Sequence, residues 1–182
     1  MHDKLKLLLE QIKYNEENYK YFKDGNLKIN INTSSKIHTF IFEIESVLPL
    51  DVYQELEIKL KNRFKDYNTD ILIKALNIND EFLRDYYQKV LDMYKEDQPL
   101  LQMFKDNKFE LSNNLFIVEV ANLAEKMKLN GISDVLLKLL KKYGFGQLNL
   151  EISINPNLNS EVLEEINKEL NKEIVYKEPE PI

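Results

Sequence analysis

The same succession of hydrophobic periods occurs twice along the 182 residues. A chain that repeats helix, strand, strand, helix, strand folds either as two small units or as one merged sheet. In the first pass, Leu5, Leu8, Leu9 and Ile12 have helical spacing, and a turn at Asp24-Gly25-Asn26 ends the polar, aromatic stretch that follows. The period then becomes two: Leu27, Ile29 and Ile31 alternate with polar residues, and after Asn32-Thr33-Ser34-Ser35 so do His38, Phe40, Phe42 and Ile44. Pro49 and Asp51 signal a helix start, Tyr53, Leu56, Leu60 and Phe64 form its apolar stripe, and Asp70 to Leu76 reads as a third strand.

From Asn79 the order recurs. Asn79 caps a helix with Phe82, Tyr86, Val90 and Met93, and Asp97-Gln98-Pro99 opens a shorter one. Lys108 to Leu111 and Leu115 to Val120 form a predicted hairpin. Leu123, Met127, Val135, Leu136, Leu139 and Tyr143 then define helical turns, with an interruption expected near Asn130-Gly131, and Gly144 ends the helix. Leu148, Leu150, Ile152 and Ile154 alternate strictly with polar residues, and Ser160 is expected to cap an acidic helix ahead of Glu178-Pro179-Glu180-Pro181. The fold class is therefore α+β, as two tandem small domains over residues 1–78 and 79–155. Each is a helical element followed by a β-β-α-β unit, and an acidic helix and linker tail occupies 156–182. One continuous mixed sheet is the alternative.

Composition narrows the chemistry. With no cysteine, disulfides, thiolate nucleophiles and cysteine-based metal sites are excluded, and His2 and His38 alone cannot build a histidine cluster. The net charge of −6 has the wrong sign for a protein that coats nucleic acid. Of the 25 basic residues only Arg63 and Arg84 are arginine, the better residue for bidentate phosphate or guanine recognition. The excess acidity sits mostly in 156–182, which carries 3 basic and 7 acidic residues. No apolar run approaches the ~20 residues of a membrane span, and Asp3, Lys4, Lys6 and Glu10 break up any signal-peptide core, so the expected location is the cytoplasm.

Five blocks occur in a telling order: Asp24-Gly25-Asn26-Leu27-Lys28; Phe42-Glu43-Ile44-Glu45-Ser46-Val47-Leu48-Pro49-Leu50-Asp51-Val52-Tyr53-Gln54-Glu55-Leu56; Asp85-Tyr86-Tyr87; Asn114-Leu115-Phe116-Ile117-Val118; and Tyr143-Gly144-Phe145-Gly146-Gln147-Leu148-Asn149-Leu150. Together they resemble the N-terminal region of the PolC-type alpha subunit of bacterial DNA polymerase III. The resemblance implies two non-catalytic accessory domains, the first like a truncated KH fold, ahead of catalytic modules where the magnesium chemistry would reside. It implies no cofactor, membrane or small-molecule substrate for this chain, and makes a replisome protein the expected partner, with the clamp-loader tau subunit as leading guess. Single-stranded DNA is the alternative.

The local carboxylate pairs, Glu43 with Glu45 and Asp80 with Glu81, read as a solvated strand face and a helix first turn rather than as a metal site. His38 reads as a core-edge residue. A KH domain grips single strands through a Gly-x-x-Gly loop, and this sequence has none. Two lysine groups remain. Lys59, Lys61, Arg63 and Lys65 follow Glu55 and Glu57 at the four-residue spacing of helix ion pairs. Lys126, Lys128, Lys138, Lys141 and Lys142 are less compensated, and they are the candidate nucleic-acid contacts.

Overall fold

The computed structural model describes residues 1–105 and 107–176. Helix α1 (Asp3–Gln11) and a 3-10 turn (Glu16–Phe22) lead into strands β1 (Asn26–Asn32) and β2 (Ile37–Ser46), helix α2 (Leu50–Arg63) and strand β3 (Asn68–Asn77). The second round is α3 (Asp80–Met93), a 3-10 turn (Pro99–Phe104), β4 (Phe109–Ser112), β5 (Leu115–Val120), α4 (Leu123–Lys141) and β6 (Asn149–Ile154), followed by α5 (Asn157–Tyr176). Each round makes one three-stranded sheet, β1-β2-β3 and β4-β5-β6, with the first pair antiparallel and the second parallel. The chain is thus two tandem small α+β domains.

The parallel pairing follows from the connection, since the helix between the second and third strands of each unit returns the chain to the same end of the sheet. Phe40, Phe42, Ile44, Ile71 and Ile73 turn one face of the first sheet inward beneath Leu56 and Leu60, and Phe116, Val118 and Ile152 do the same beneath Leu136 and Leu140. The opposite strand faces carry Lys28, Asp70 and Lys74 in one sheet and Glu110 and Glu151 in the other, all exposed.

The two cores are continuous. Tyr86 of α3 donates its hydroxyl to the Leu48 carbonyl at 2.7 Å, and its ring lies 5.2 Å from Tyr143 and 5.4 Å from Phe145. Tyr143 also meets Tyr53 at 5.0 Å. At the edge of β3, the Ile73 amide donates to the Lys142 carbonyl at 2.9 Å, and the Gln147 side chain donates to the Leu76 carbonyl at 2.8 Å. The turn after α4 therefore covers the free edge of the first sheet, which would otherwise present unpaired backbone groups.

That turn needs Gly144. The Phe145 amide reaches the Leu140 carbonyl and the Gly144 amide reaches that of Lys141, the two bonds of a Schellman ending with Gly144 at φ +107°. A Cβ there would meet Val47 Cγ2 at 3.0 Å and Ile73 Cγ2 at 3.1 Å.

Two expectations are corrected. Helix α4 runs unbroken through Asn130 and Gly131. There Ser133 Oγ donates to the Asn130 carbonyl while burial of Leu129, Ile132 and Leu136 holds both halves on one axis, so packing overrides the weak propensity. The last helix begins at Asn157, with the Asn155 side chain accepting from the Asn157 amide, so Ser160 lies within it; the predicted Glu178-Pro179-Glu180-Pro181 linker lies outside the described residues.

Candidate functional site

All five candidate lysines belong to α4 or its last turn, but they do not converge. At 1.5 Å per residue, Lys126 and Lys128 lie about 15–24 Å along the axis from Lys138, Lys141 and Lys142. The helical period also fans them around the side away from the core, which is formed by Leu129, Ile132, Leu136 and Leu140. Lys126 is half-buried; Lys128, Lys138, Lys141 and Lys142 are exposed. Lys128 borders a hollow of about 270 Å³ shared with Met103, Asn107, Glu125 and Leu129.

The outermost line of α4 is more telling. Positions 123, 127, 131, 134, 138 and 141, spaced by three and four, are all exposed and read Leu, Met, Gly, Asp, Lys, Lys. Leu123 is 61% and Met127 66% exposed, so these two side chains point into solvent rather than into the core that their spacing suggests. The helix is phased from its start by a capping box: the Asn122 side chain accepts from the Glu125 amide at 3.0 Å, and the Glu125 carboxylate accepts from the Ala121 amide at 2.9 Å. With that start fixed, the buried stripe is 129, 132, 136 and 140. The Asn122/Glu125 pair was the sequence signal that would have set the phase. A Cβ on Gly131 would meet nothing within 4 Å, which leaves a shallow step between the apolar and basic halves of the line.

The first lysine group is partly compensated. Lys61 pairs with Glu57 at 3.8 Å, whereas Glu55 turns away to accept from the Asn18 side chain at 2.9 Å and the Asn15 amide. The carboxylate pairs take structural roles as well. Glu43 pairs with Lys28 at 2.8 Å, and that hydrogen bond holds its carboxyl below the usual range. Glu81 offers its amide to the Asn79 cap at the start of α3. Glu43 and Glu45 line a wider hollow of about 680 Å³ at the end of the first sheet, with Lys23, Lys74 and Leu76. Among the described residues no group of three or more His, Cys, Asp or Glu side chains could hold a metal ion. His38 stacks on Tyr67 at 4.4 Å and meets Phe64 edge-on, a core-edge position. No helix of the described residues is long and apolar enough to cross a membrane.

Residues 4–82 match the family described as DNA polymerase III polC-type N-terminus I. Curated relatives extend the similarity. The chain is 29% identical over 167 residues to DNA polymerase III PolC-type of Pediococcus pentosaceus, covering 87% of the chain and 11% of that protein. It is 24% identical over 155 residues to its Bacillus subtilis namesake, covering 81% and 11%, and 25% identical over 177 residues to that of Streptococcus mutans, covering 89% and 12%. The chain thus spans about a tenth of the length of these relatives. No solved structure matches it.

Proposed function

We propose that this chain, whose residues 4–82 match the PolC-type N-terminus I family and which is similar to PolC-type polymerases over most of its length, is a non-catalytic accessory region of a replicative DNA polymerase whose α4 face binds a protein of the replisome. The observation that carries this reading is the exposure of Leu123 and Met127 on the same line as Lys138 and Lys141. Apolar side chains beside spaced positive charges suit a helix with an apolar stripe and an acidic flank. A phosphate backbone would use the charges and leave the apolar half wet. The clamp-loader tau subunit is the first partner to test.

The test is a pull-down of purified tau, sliding clamp and single-stranded DNA with this chain as bait. Changing Leu123 and Met127 to Asp should remove tau and leave the circular dichroism spectrum intact, since both side chains already lie in solvent. If single-stranded DNA were held instead by Lys138, Lys141 and Lys142, three neutralised phosphates would give a slope of roughly −2 in log affinity against log salt, a loss of about twentyfold from ~50 to ~200 mM. The expected DNA affinity at ~150 mM salt is weaker than about 100 μM. A low-micromolar affinity abolished by changing the three lysines to Glu would replace the protein-partner reading with a nucleic-acid one.

A further inference from the structure

The internal repeat places an uncovered copy of the inter-domain seam at the far end of the chain. In the first sheet the Asn68 amide donates to the Lys36 carbonyl, one residue before β2. In the second the Asn149 amide donates to the Asn114 carbonyl, one residue before β5. These bonds set the equivalence of β3 and β6, and they make Ile154 the counterpart of Ile73. Ile73, on the inward face of its sheet and with Gly144 of the turn against its Cγ2, is 1% exposed, whereas Ile154 is 39% exposed. The Asn149 and Asn155 amides both face β5, so the alternation of the strand turns the backbone groups of Leu150, Ile152 and Ile154 to the open side. Among the described residues these groups have no partner.

The following helices are equivalent as well. Asn79 accepts from the Glu81 amide and Asn155 from the Asn157 amide, each two residues on and each directly after its sheet. Aligning the two caps puts Leu158, Ile166 and Leu170 at the places of Phe82, Val90 and Tyr94. Val90 is fully buried, while Ile166 is 46% and Leu170 50% exposed. The strand edge and these helix positions are thus both exposed.

We propose that the β6 edge and the apolar stripe of α5 form a docking surface for a basic helix end running into an aromatic–glycine turn, the chemistry that Lys138 to Gln147 brings to β3. A second copy fits poorly, because α5 carries Glu161, Glu164, Glu165, Glu169 and Glu173 against Lys168 and Lys172, and two such helices repel. A basic helix end is complementary to that charge. The surface is separate from the α4 face and does not depend on the replisome reading.

The experiment titrates the intact, isotope-labelled chain with a synthetic peptide copying residues 132–148. Saturable shifts at Leu150, Ile152, Ile154, Ile166 and Leu170, slower exchange of the Ile154 amide, and at least a tenfold loss of affinity with Ile154→Asp or with a Gly144→Ala peptide are expected. No shift at β6 and α5 with millimolar peptide, or shifts confined to Val47, Ile73 and Tyr86, would overturn the proposal. Tau capture that fails in Leu123→Asp but survives Ile154→Asp keeps the two readings distinguishable.

Discussion

Gly144→Ala should cost this chain more than its single added methyl suggests. The residue sits at φ +107°, where an L side chain costs on the order of 1–3 kcal/mol. Its new Cβ would meet Val47 Cγ2 at 3.0 Å, Ile73 Cγ2 at 3.1 Å and the Ala75 Cβ at 3.3 Å. Val47 and Ile73 are almost fully buried, so relief requires moving β3 against the turn, an overpacking cost of about 1–3 kcal/mol. The sum is about 2–6 kcal/mol, which for a chain of this size lowers Tm by roughly 4–24 °C. Gly131→Ala is the matched control: mid-helix and with nothing near its Cβ, it should stabilise by about 0.5–1 kcal/mol. Thermal and urea unfolding followed by circular dichroism measure both, and hydrogen exchange at the Ile73 amide shows whether the seam has opened. If Gly144→Ala loses less than about 0.5 kcal/mol, the close approach of the two domains at this turn is wrong.

Tyr86→Phe leaves the buried Leu48 carbonyl without its 2.7 Å donor and should cost about 1–3 kcal/mol in urea unfolding, with the ring packing retained. Cutting the chain at Asn77-Ile78-Asn79 should give two halves that each keep secondary structure, as domain boundaries at 78 and 79 propose. Because the cut exposes Tyr53, Tyr86, Tyr143 and Phe145, the halves should recombine on mixing, and two halves unfolded apart would favour one shared core. Burial pushes the phenols of Tyr14, Tyr53, Tyr86, Tyr87 and Tyr143 well above the ordinary value. A folded-state pKa above the unfolded one means that the folded chain holds more protons in alkali. Their contribution is therefore complete below pH ~10 and lost as pH rises beyond it, at up to about 1.4 kcal/mol per pH unit for each phenol. Tyrosinate absorbance and loss of ellipticity should rise together in an alkaline titration; tyrosinate appearing from all ten tyrosines while the fold persists would contradict this.

Strand positions were legible because alternation with a buried face admits one register: Leu115 to Val120 was read to the residue, and the order of elements in both units followed from period changes alone. What periodicity could not give was helix phase. In α4, Leu123 and Met127 lie at helical spacing but on the wrong side, and only the Asn122 cap identifies the true stripe. The candidate lysines were correctly placed on one helix, but a shared helix does not make a patch when their angles and heights differ. The seam was not legible at all, since it joins residues more than 70 apart such as Leu76 and Gln147.

The seam also explains what the family resemblance can and cannot carry. Three of the five sequence blocks that suggested it meet there: Val47, Leu48 and Tyr53 from one, Tyr86 from the second, and Tyr143, Gly144 and Phe145 from the third. A fourth supplies Gly25, where an added Cβ would lie 2.8 Å from the Phe22 carbonyl, and the fifth supplies Asn114, which at φ 67° turns the second hairpin. Each block therefore answers a demand of packing or backbone geometry. Leu123, Met127, Lys138 and Lys141 lie in none of them, nor do Ile154, Ile166 and Leu170. Packing thus accounts for the resemblance without reference to either exposed surface, so partner specificity on α4 or at the β6 edge has to be measured on this chain. A relative's partner that bound this chain while ignoring both Leu123→Asp and Ile154→Asp would have to grip a third surface.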